Sequence, residues 1–263
     1  CSSDLLITLG FLWGGIPIGP EASKFPDRME AAKKEFETAR RLGIPMCTHW
    51  ASRENTPAGQ VEPLAKGGFL GKDVLLVHML ATSPAEMKMV AAAGSPISSS
   101  PGSELRIGYG GTKACEFMDA GVVVSVSVDS VPLTGNANFF GILKLLRNAE
   151  NAKAFDEFKL SARKALEMGT INGAKALGLD DKIGSLVPGK RADLIMVRTD
   201  RVSMGVFTDP THMLVEAAEE ADIDTVVVDG RILKRAGKLT AISPDQVISD
   251  AAATLEAVGK RLS

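Results

Sequence analysis

Short apolar runs rich in β-branched residues alternate along this chain with segments of helical spacing. The apolar runs cover residues 5–11, 44–50, 74–80, 97–100 and 122–128. Helical patterns cover residues 26–42, 84–93, 113–120, 139–148 and 155–177, and Ser83 is predicted to cap the second of these helices. Near-continuous apolar strands that alternate with helices are typical of a parallel sheet covered by helices. The sequence therefore predicts an α/β fold with five βα units.

The pattern changes after residue 177. Residues 192–198 and 224–233 are predicted strands, and Asp229 and Gly230 form a good hairpin turn within the second. Residues 242–262 have the spacing of a closing amphipathic helix. We therefore predict an α/β unit over residues 1–178 and a small β-rich appendage with a closing helix over residues 179–263.

Charge and cysteine content exclude several classes of protein. There are 30 Lys and Arg against 32 Asp and Glu, so a general nucleic-acid binder is not expected. No apolar run approaches the roughly 18–20 residues that a membrane helix needs. Cys1, Cys47 and Cys115 are widely spaced without a CxxC, which argues against a disulfide framework and a Cys-rich zinc site. We expect a cytoplasmic protein without a nucleic-acid or membrane partner.

Three polar residues stand at or just after predicted strand ends: His49, His78 and Asp129. In parallel α/β folds the chemistry gathers at the carboxyl ends of the strands. Two imidazoles and a carboxylate are ligands that suit Zn²⁺ or Fe²⁺. Each residue also has a structural interpretation, since a histidine can be a satisfied core residue and Asp129 precedes Ser130 and Pro132 as a turn or cap would. The residues alone leave both interpretations open.

Other polar segments are predicted to be structural. The GYGG segment at residues 108–111 is predicted to be a flexible loop, and residues 98–103 a loop at the rim of the sheet. His212 is predicted to be a structural residue of the appendage. Cys47 and Cys115 have no histidine at nucleophile spacing, and we expect buried, inert thiols.

The C-terminal half contains a distinctive run, MGTINGAKALGLDDKIGSLVPGKRADLIMV at residues 168–197, followed by DTVVVDGRIL at residues 224–233. It resembles the C-terminal signature of the amidohydrolase superfamily. Within that superfamily it is similar to the mononuclear deaminases and chlorohydrolases that act on cyclic amidines, a group that includes S-adenosylhomocysteine and guanine deaminases and triazine hydrolases. The resemblance extends over essentially the whole chain.

The resemblance implies a distorted (β/α)₈ barrel with a small β-sandwich, in which the five predicted strands are barrel strands four to eight. It implies that His49 is a metal ligand on strand five and that His78, on strand six, contacts the substrate or the metal-bound water. It makes Asp129, after strand eight, both a metal ligand and a proton shuttle. Residues 5–11 contain no Lys, Glu or Cys that could bridge two ions, so one divalent metal, Zn or Fe, is expected.

The sequence departs from the family pattern in two ways. The first concerns the metal site: the family's first strand carries a His-x-His pair that completes this site, and this sequence contains no such pair. Three barrel strands are also missing from the predicted set, so we expect a C-terminal portion that cannot close a barrel alone. Exposed strand edges would then favour association, either as a homo-oligomer or with the missing N-terminal part.

The second departure concerns proton transfer. Many ring deaminases place a glutamate three residues after the metal histidine, where this chain has Ser52, and the next acid is Glu54. A serine cannot act as a carboxylate acid or base. Three explanations stay open: Glu54 reaches the site, the substrate does not need that transfer, or the enzyme lies outside the purine and pyrimidine deaminases.

These inferences together predict a metal-dependent hydrolase that cleaves a C–N bond of a small molecule, by deamination of a cyclic amidine or heterocyclic ring. One alternative is a binuclear cyclic amide, peptide or lactone hydrolase of the same superfamily. A second alternative, of a different class, is a catalytically inactive scaffold or assembly subunit.

Overall fold

A computed structural model describes residues 9–17 and 26–262 of the protein. Its first part is built on a five-stranded sheet in which every neighbouring pair of strands is parallel. The strands follow the order of the chain: β1 (Phe11–Leu12), β2 (Met46–Trp50), β3 (Val74–His78), β4 (Ile97–Ser99) and β5 (Val124–Val126). The predicted α/β fold with a parallel sheet is confirmed.

Most of the strands are shorter than predicted at their carboxyl ends. Residues 5–8 of the first predicted strand lie outside the described residues, and the described strand begins at Phe11. At the end of β3 the backbone turns left-handed at His78 (φ 73°) and Met79 (φ 60°). Asp129, three residues after β5, has a φ of 63°. Left-handed backbone cannot continue a strand, so β3 ends at His78 although the apolar run continues to Leu80.

Helices cover the sheet, and several agree with the predicted ones. Helix α1 spans Pro26–Arg41 and α2 spans Val61–Lys66. Helix α3 (Pro84–Ala93) begins with the predicted cap: Ser83 and Glu86 form a reciprocal capping box. Helix α4 spans Pro101–Arg106, α5 Ala114–Asp119, α6 Val131–Thr134 and α7 Phe139–Ala154.

Three helical predictions need correction. Residues 101–103 were expected in a rim loop but form the first turn of α4, which Pro101 opens as an N1 proline can. Helix α7 runs on to Ala154, beyond the predicted end at residue 148. The predicted helix over residues 155–177 begins later and is divided: a left-handed Phe155 (φ 54°) ends α7, and α8 (Ala162–Met168) is separated from α9 (Ile171–Ala176) at Gly169 and the non-helical Thr170.

One apolar core lies between the sheet and the helices. Trp13, Phe36 and Phe69 form an aromatic cluster with ring centroids 4.9–5.3 Å apart. The Trp13 indole N–H donates to the carbonyl of Ala32 at 3.2 Å, so its polar atom is satisfied in the interior. This packing joins α1 to the segment that follows β1.

The second part of the chain carries a four-stranded antiparallel sheet, with β6 (Leu194–Val197), β7 (Ile223–Val228), β8 (Arg231–Arg235) and β9 (Lys238–Leu239) in that order. Asp229 and Gly230 form the predicted hairpin turn with φ values of 49° and 76°, as a type I′ turn requires. Helix α10 (Pro210–Glu216) was not predicted. It packs on α7 and α8 of the first part of the chain, where Arg147 of α7 forms an ion pair with Glu216 of α10 at 2.5 Å.

The last helix, α11, spans Pro244–Leu262, close to its predicted limits. Residues 244–261 are exposed along its whole length, including Val247, Ile248, Leu255 and Val258. Across residues 9–17 and 26–262, none of the helices combines the length and apolar character that crossing a membrane demands.

Candidate functional site

His49 and His78 come together at the carboxyl ends of two neighbouring strands. The register aligns Trp50 of β2 with His78 of β3, so both strands end at the same level. The two imidazole rings lie 5.3 Å apart between centroids with an interplanar angle of 31°. His49 is exposed, whereas His78 is buried with 4% of its surface accessible. The His49 ring is thus open to solvent, and the His78 ring is largely covered by the described residues.

Asp129 follows β5 at the same end of the sheet. Its Oδ1 accepts from the Ser130 N–H at 2.8 Å, and its own N–H donates to Ser127 Oγ at 2.9 Å. These local bonds are those of a turn residue, the structural interpretation that the sequence left open. Its Oδ2, however, accepts a hydrogen bond of 2.5 Å from Ser103 Oγ on α4, a contact over 26 residues of chain. Asp129 is therefore held by tertiary structure as well as by its turn.

Glu104, the neighbour of Ser103 on α4, is the main site residue that sequence reasoning missed. It is completely buried, and its Oε1 lies 3.0 Å from Nδ1 of His78. Helix α4 thus contacts both His78 and Asp129 through two consecutive residues. The available signal was a charged residue close after a predicted strand, directly behind residues 98–103, which we predicted to be a loop.

Tyr109 lies against the buried histidine. Its ring meets the His78 ring edge-on at 5.6 Å, and the Arg53 guanidinium lies 5.1 Å from the Tyr109 ring centroid. Residues 108–111 have no regular secondary structure, so the predicted loop is confirmed as a loop. This loop lies beside His78, which Tyr109 contacts.

The two residues considered for proton transfer have different surroundings. Glu54 is exposed, its N–H donates to the Tyr109 carbonyl at 2.7 Å, and its Oε2 accepts from the Gly111 N–H at 3.0 Å. These bonds join the loop after β2 to the loop after α4. Ser52 lies half-buried in the same loop, two residues after β2.

The described cysteines have the character of unreactive thiols. Burial and the neighbouring Glu150 raise the pKa of the Cys115 thiol to about 12. Burial also raises the pKa of Cys47, which is only half-buried rather than fully enclosed as expected. Cys1 lies outside the described residues. His212 lies on α10 rather than in the antiparallel sheet, and its side chain is exposed.

The donor types at this end of the sheet suit a divalent ion, but their number is too small. Within residues 9–17 and 26–262, no group of three or more His, Cys, Asp and Glu side chains is arranged to hold a metal. All three histidines of the chain, His49, His78 and His212, belong to the described residues. A complete metal site would need ligands beyond those that the described residues bring together.

The fold and the strand-end residues define an α/β protein with a candidate site at the carboxyl ends of parallel strands. Residues 21–233 match the Amidohydrolase family, so the chain belongs to this family and the resemblance inferred from residues 168–197 and 224–233 is confirmed. A relative from Acetivibrio thermocellus, named 5-methylthioadenosine/S-adenosylhomocysteine deaminase, is 30% identical over 223 residues, covering 84% of this chain and 52% of the relative. The chain spans about half the length of the curated relatives that it matches.

Solved structures show the same fold. A zinc-bound adenosine deaminase from Xanthomonas campestris aligns with a TM-score of 0.83 at 23% identity, over 88% of this chain and 55% of that one. The zinc complex of the atrazine chlorohydrolase TrzN from Arthrobacter aurescens aligns with a TM-score of 0.77 at 25% identity, over 91% of this chain and 53% of that one. Both structures contain bound zinc, and both proteins are about twice as long as the matched region.

Proposed function

We propose that this chain belongs to a metal-dependent aminohydrolase that removes an amino group from a heterocyclic ring by hydrolysis. The observation that carries the proposal is the pair of imidazoles, 5.3 Å apart, beside a helix that hydrogen-bonds both His78 and Asp129. Membership of the amidohydrolase family and relatives named as deaminases support the same reaction. The proposed substrate is a small molecule of the aminated purine nucleoside type.

In the proposed architecture, β1–β5 correspond to strands four to eight of a (β/α)₈ barrel, within a unit over residues 1–178. Residues 179–263 then contribute part of a β-sandwich and the closing helix. Matches that cover about half of each longer relative support this assignment. The contact of α10 with α7 and α8 means that the two units share an interface rather than forming separate bodies.

We propose His49 and Asp129 as ligands of one divalent ion, Zn or Fe. Imidazole nitrogen and carboxylate oxygen are suitable donors for either metal. The exposed position of His49 suits a ligand that binds at the open end of the sheet. When bound, such an ion would make a water molecule acidic enough to lose a proton near neutral pH.

The residues of this chain have separate roles in the proposed reaction. Water adds to the ring carbon that bears the amino group, and the C–N bond then breaks to release ammonia. Asp129 accepts the proton of the attacking water and passes it to the leaving amine. His78 contacts the substrate or the attacking water through the ring nitrogen that does not face Glu104, and so orients that group for the reaction. Ser52 and Glu54 belong to the loop after β2, beside the site. In this proposal Glu54 hydrogen-bonds the loop at residues 108–111 and does not contact the substrate.

Zinc content and ammonia release test this proposal. Because the described residues offer too few ligands, the assay uses the chain alone and the chain co-expressed with the N-terminal part of the Acetivibrio relative that lies outside the match. We expect zinc and ammonia release from S-adenosylhomocysteine or 5′-deoxyadenosine in the co-expressed complex, lost in His49→Ala and Asp129→Ala. His212→Ala is the matched control, since it removes an exposed histidine on α10.

Two outcomes would contradict the proposal, and one control result would remove the evidence for the specific roles of His49 and Asp129. Ammonia release that survives His49→Ala and Asp129→Ala would remove both residues from the reaction. Equal loss in His212→Ala would show a general effect on folding. A zinc-loaded complex that releases no ammonia from any aminated heterocycle would favour the scaffold alternative.

A further inference from the structure

Glu104 is a buried acid to which the proposed reaction gives no role. None of its surface is accessible. Its Oε1 accepts from the Ser100 N–H at 2.7 Å, and its Oε2 accepts from Ser99 Oγ at 3.2 Å. Burying a carboxylate is costly unless hydrogen-bond donors compensate it. The third group within hydrogen-bonding distance is Nδ1 of His78, at 3.0 Å from Oε1.

The hydrogen bonds around Glu104 all have one direction. The Ser99 hydroxyl uses its hydrogen for Glu104, so in its 3.3 Å contact with Thr112 Oγ1 it accepts. Thr112 Oγ1 in turn accepts from the Ala114 N–H at 3.4 Å. Donors therefore point along this chain of contacts toward the carboxylate. Because an ionised carboxylate only accepts, the hydrogen between Glu104 and His78 belongs to Nδ1.

The ring of His78 is also restrained from other directions. Tyr109 packs edge-on against it, and the ring of His49 lies 5.3 Å away. The backbone of His78 is left-handed (φ 73°), a conformation that a non-glycine residue adopts only when its surroundings impose it. A ring fixed in this way presents only one nitrogen, Nε2, to any further partner.

We propose that Glu104 is a positioning residue that holds His78 as the Nδ1–H tautomer and leaves Nε2 as the nitrogen available to a ligand. A carboxylate that fixes the tautomer of a functional histidine is a recurrent arrangement. The use of Nε2 on a substrate rests on the proposed function, whereas the tautomer and its dependence on Glu104 do not.

Nitrogen NMR of the chain labelled with ¹⁵N-histidine tests the proposal without an activity assay. The chain has three histidines, so His49→Asn and His212→Asn assign the His78 signals by elimination. We expect the native His78 to carry its proton on Nδ1. Glu104→Leu removes the acceptor, and we expect loss of the Nδ1–H signature in favour of the Nε2–H form that predominates in free imidazoles.

Glu86→Leu is the matched control, because Glu86 is a comparably buried glutamate that accepts backbone N–H bonds from Gly59 and Val61 without contacting a histidine. The His78 signature should be unchanged in this variant. Glu104→Gln keeps the size of the side chain, and it should shift the Nδ1 resonance because an amide is a weaker acceptor than a carboxylate. This variant keeps the test decisive if Glu104→Leu does not fold.

The proposal would be overturned by an Nε2–H tautomer in the native chain. An unchanged His78 signature in Glu104→Leu or Glu104→Gln, or an equal change in Glu86→Leu, would also overturn it. Failure of the deamination assay leaves these signatures unaffected, so the two proposals fail independently. A correct tautomer without ammonia release would reject the proposed reaction and keep the positioning role.

Discussion

Ser103 Oγ donates a hydrogen bond of 2.5 Å to Oδ2 of Asp129 and so joins α4 to the turn after β5. Its neighbour on α4, Glu104, contacts His78. Two consecutive residues of one short helix therefore hold two candidate site residues that are 51 positions apart in the chain, since 129 − 78 = 51. The arrangement makes α4 the element on which the geometry of this end of the sheet depends.

Removing the Ser103 hydroxyl is expected to loosen Asp129. In the co-expressed complex, Ser103→Ala should weaken zinc binding by roughly 10- to 100-fold, the usual effect of losing a hydrogen bond to a metal ligand, which is the role proposed for Asp129. Competition with a chelator measures the affinity. Ser100→Ala is the control, since Ser100 Oγ is buried without a hydrogen-bond partner among the described residues. Equal effects of both variants would argue against a specific role of Ser103.

Stability at acidic pH should depend on Glu86. Burial opposes ionisation of this carboxyl, but hydrogen bonds from Val61, Ser83 and Gly59 outweigh it and lower the pKa below the ordinary value of 4.5. A lowered pKa in the folded state stabilises the protein above the unfolded pKa, and this contribution is lost as the pH falls through the folded pKa.

Glu86→Gln should therefore lower the free energy of unfolding by about 1–3 kcal/mol near neutral pH. The difference from the native chain should shrink as the pH falls below the ordinary value of 4.5. Urea denaturation across a pH series measures both. A difference that grows toward acid would show that the sign of the pKa shift is wrong.

Replacing Gly110 should disturb the loop beside His78. Gly110 has a φ of 140°, and a Cβ there would lie 2.5 Å from the Cβ of Glu54. Gly110→Ala should cost about 1–3 kcal/mol in the free energy of unfolding. Gly108→Ala is the matched control because its φ of 72° has open space around it, and it should cost only about 1 kcal/mol. Equal costs would mean that the contact with Glu54 is unimportant.

Alkylation should distinguish the two described cysteines. The pKa of Cys115 is raised to about 12, so little thiolate forms at neutral or mildly basic pH, and the side chain is buried. Iodoacetamide near pH 8 should label Cys47 faster than Cys115, and Cys115 only after unfolding. Peptide mass spectrometry measures each site. Rapid labelling of Cys115 in the folded chain would contradict its burial.

The helix α11 should contribute little to the stability of the single chain. Residues 244–261 are all exposed. Deleting residues 244–263 should therefore change the midpoint of thermal unfolding by only about 2 °C. A much larger decrease would show that the apolar side chains of α11, such as Leu255, are packed against another polypeptide in solution.

Local patterns were sufficient for the parallel sheet and most element positions, and the resemblance of residues 168–197 and 224–233 was sufficient for the family. Apolar β-branched runs and capping residues act over a few positions, so Ser83 correctly marked the start of α3 and Asp229 with Gly230 the hairpin. Helix α4 was missed because its six residues make fewer than two turns, too few to show a repeating apolar pattern. The break between α7 and α8 was predicted several residues too early, because the left-handed conformation of Phe155 has no glycine to signal it.

The amino-acid sequence by itself determined the α/β class, the amidohydrolase membership and the choice of His49, His78 and Asp129 as site candidates. These three conclusions depend on residue type, short-range spacing and sequence motifs, which can be identified without the structure. Only the tertiary structure decided that Glu104 contacts His78, that Ser103 contacts Asp129 and that Glu54 binds the loop at Gly111. Each of these contacts joins residues 26 or more positions apart, because strand order and the left-handed turns after β3 and β5 bring them together.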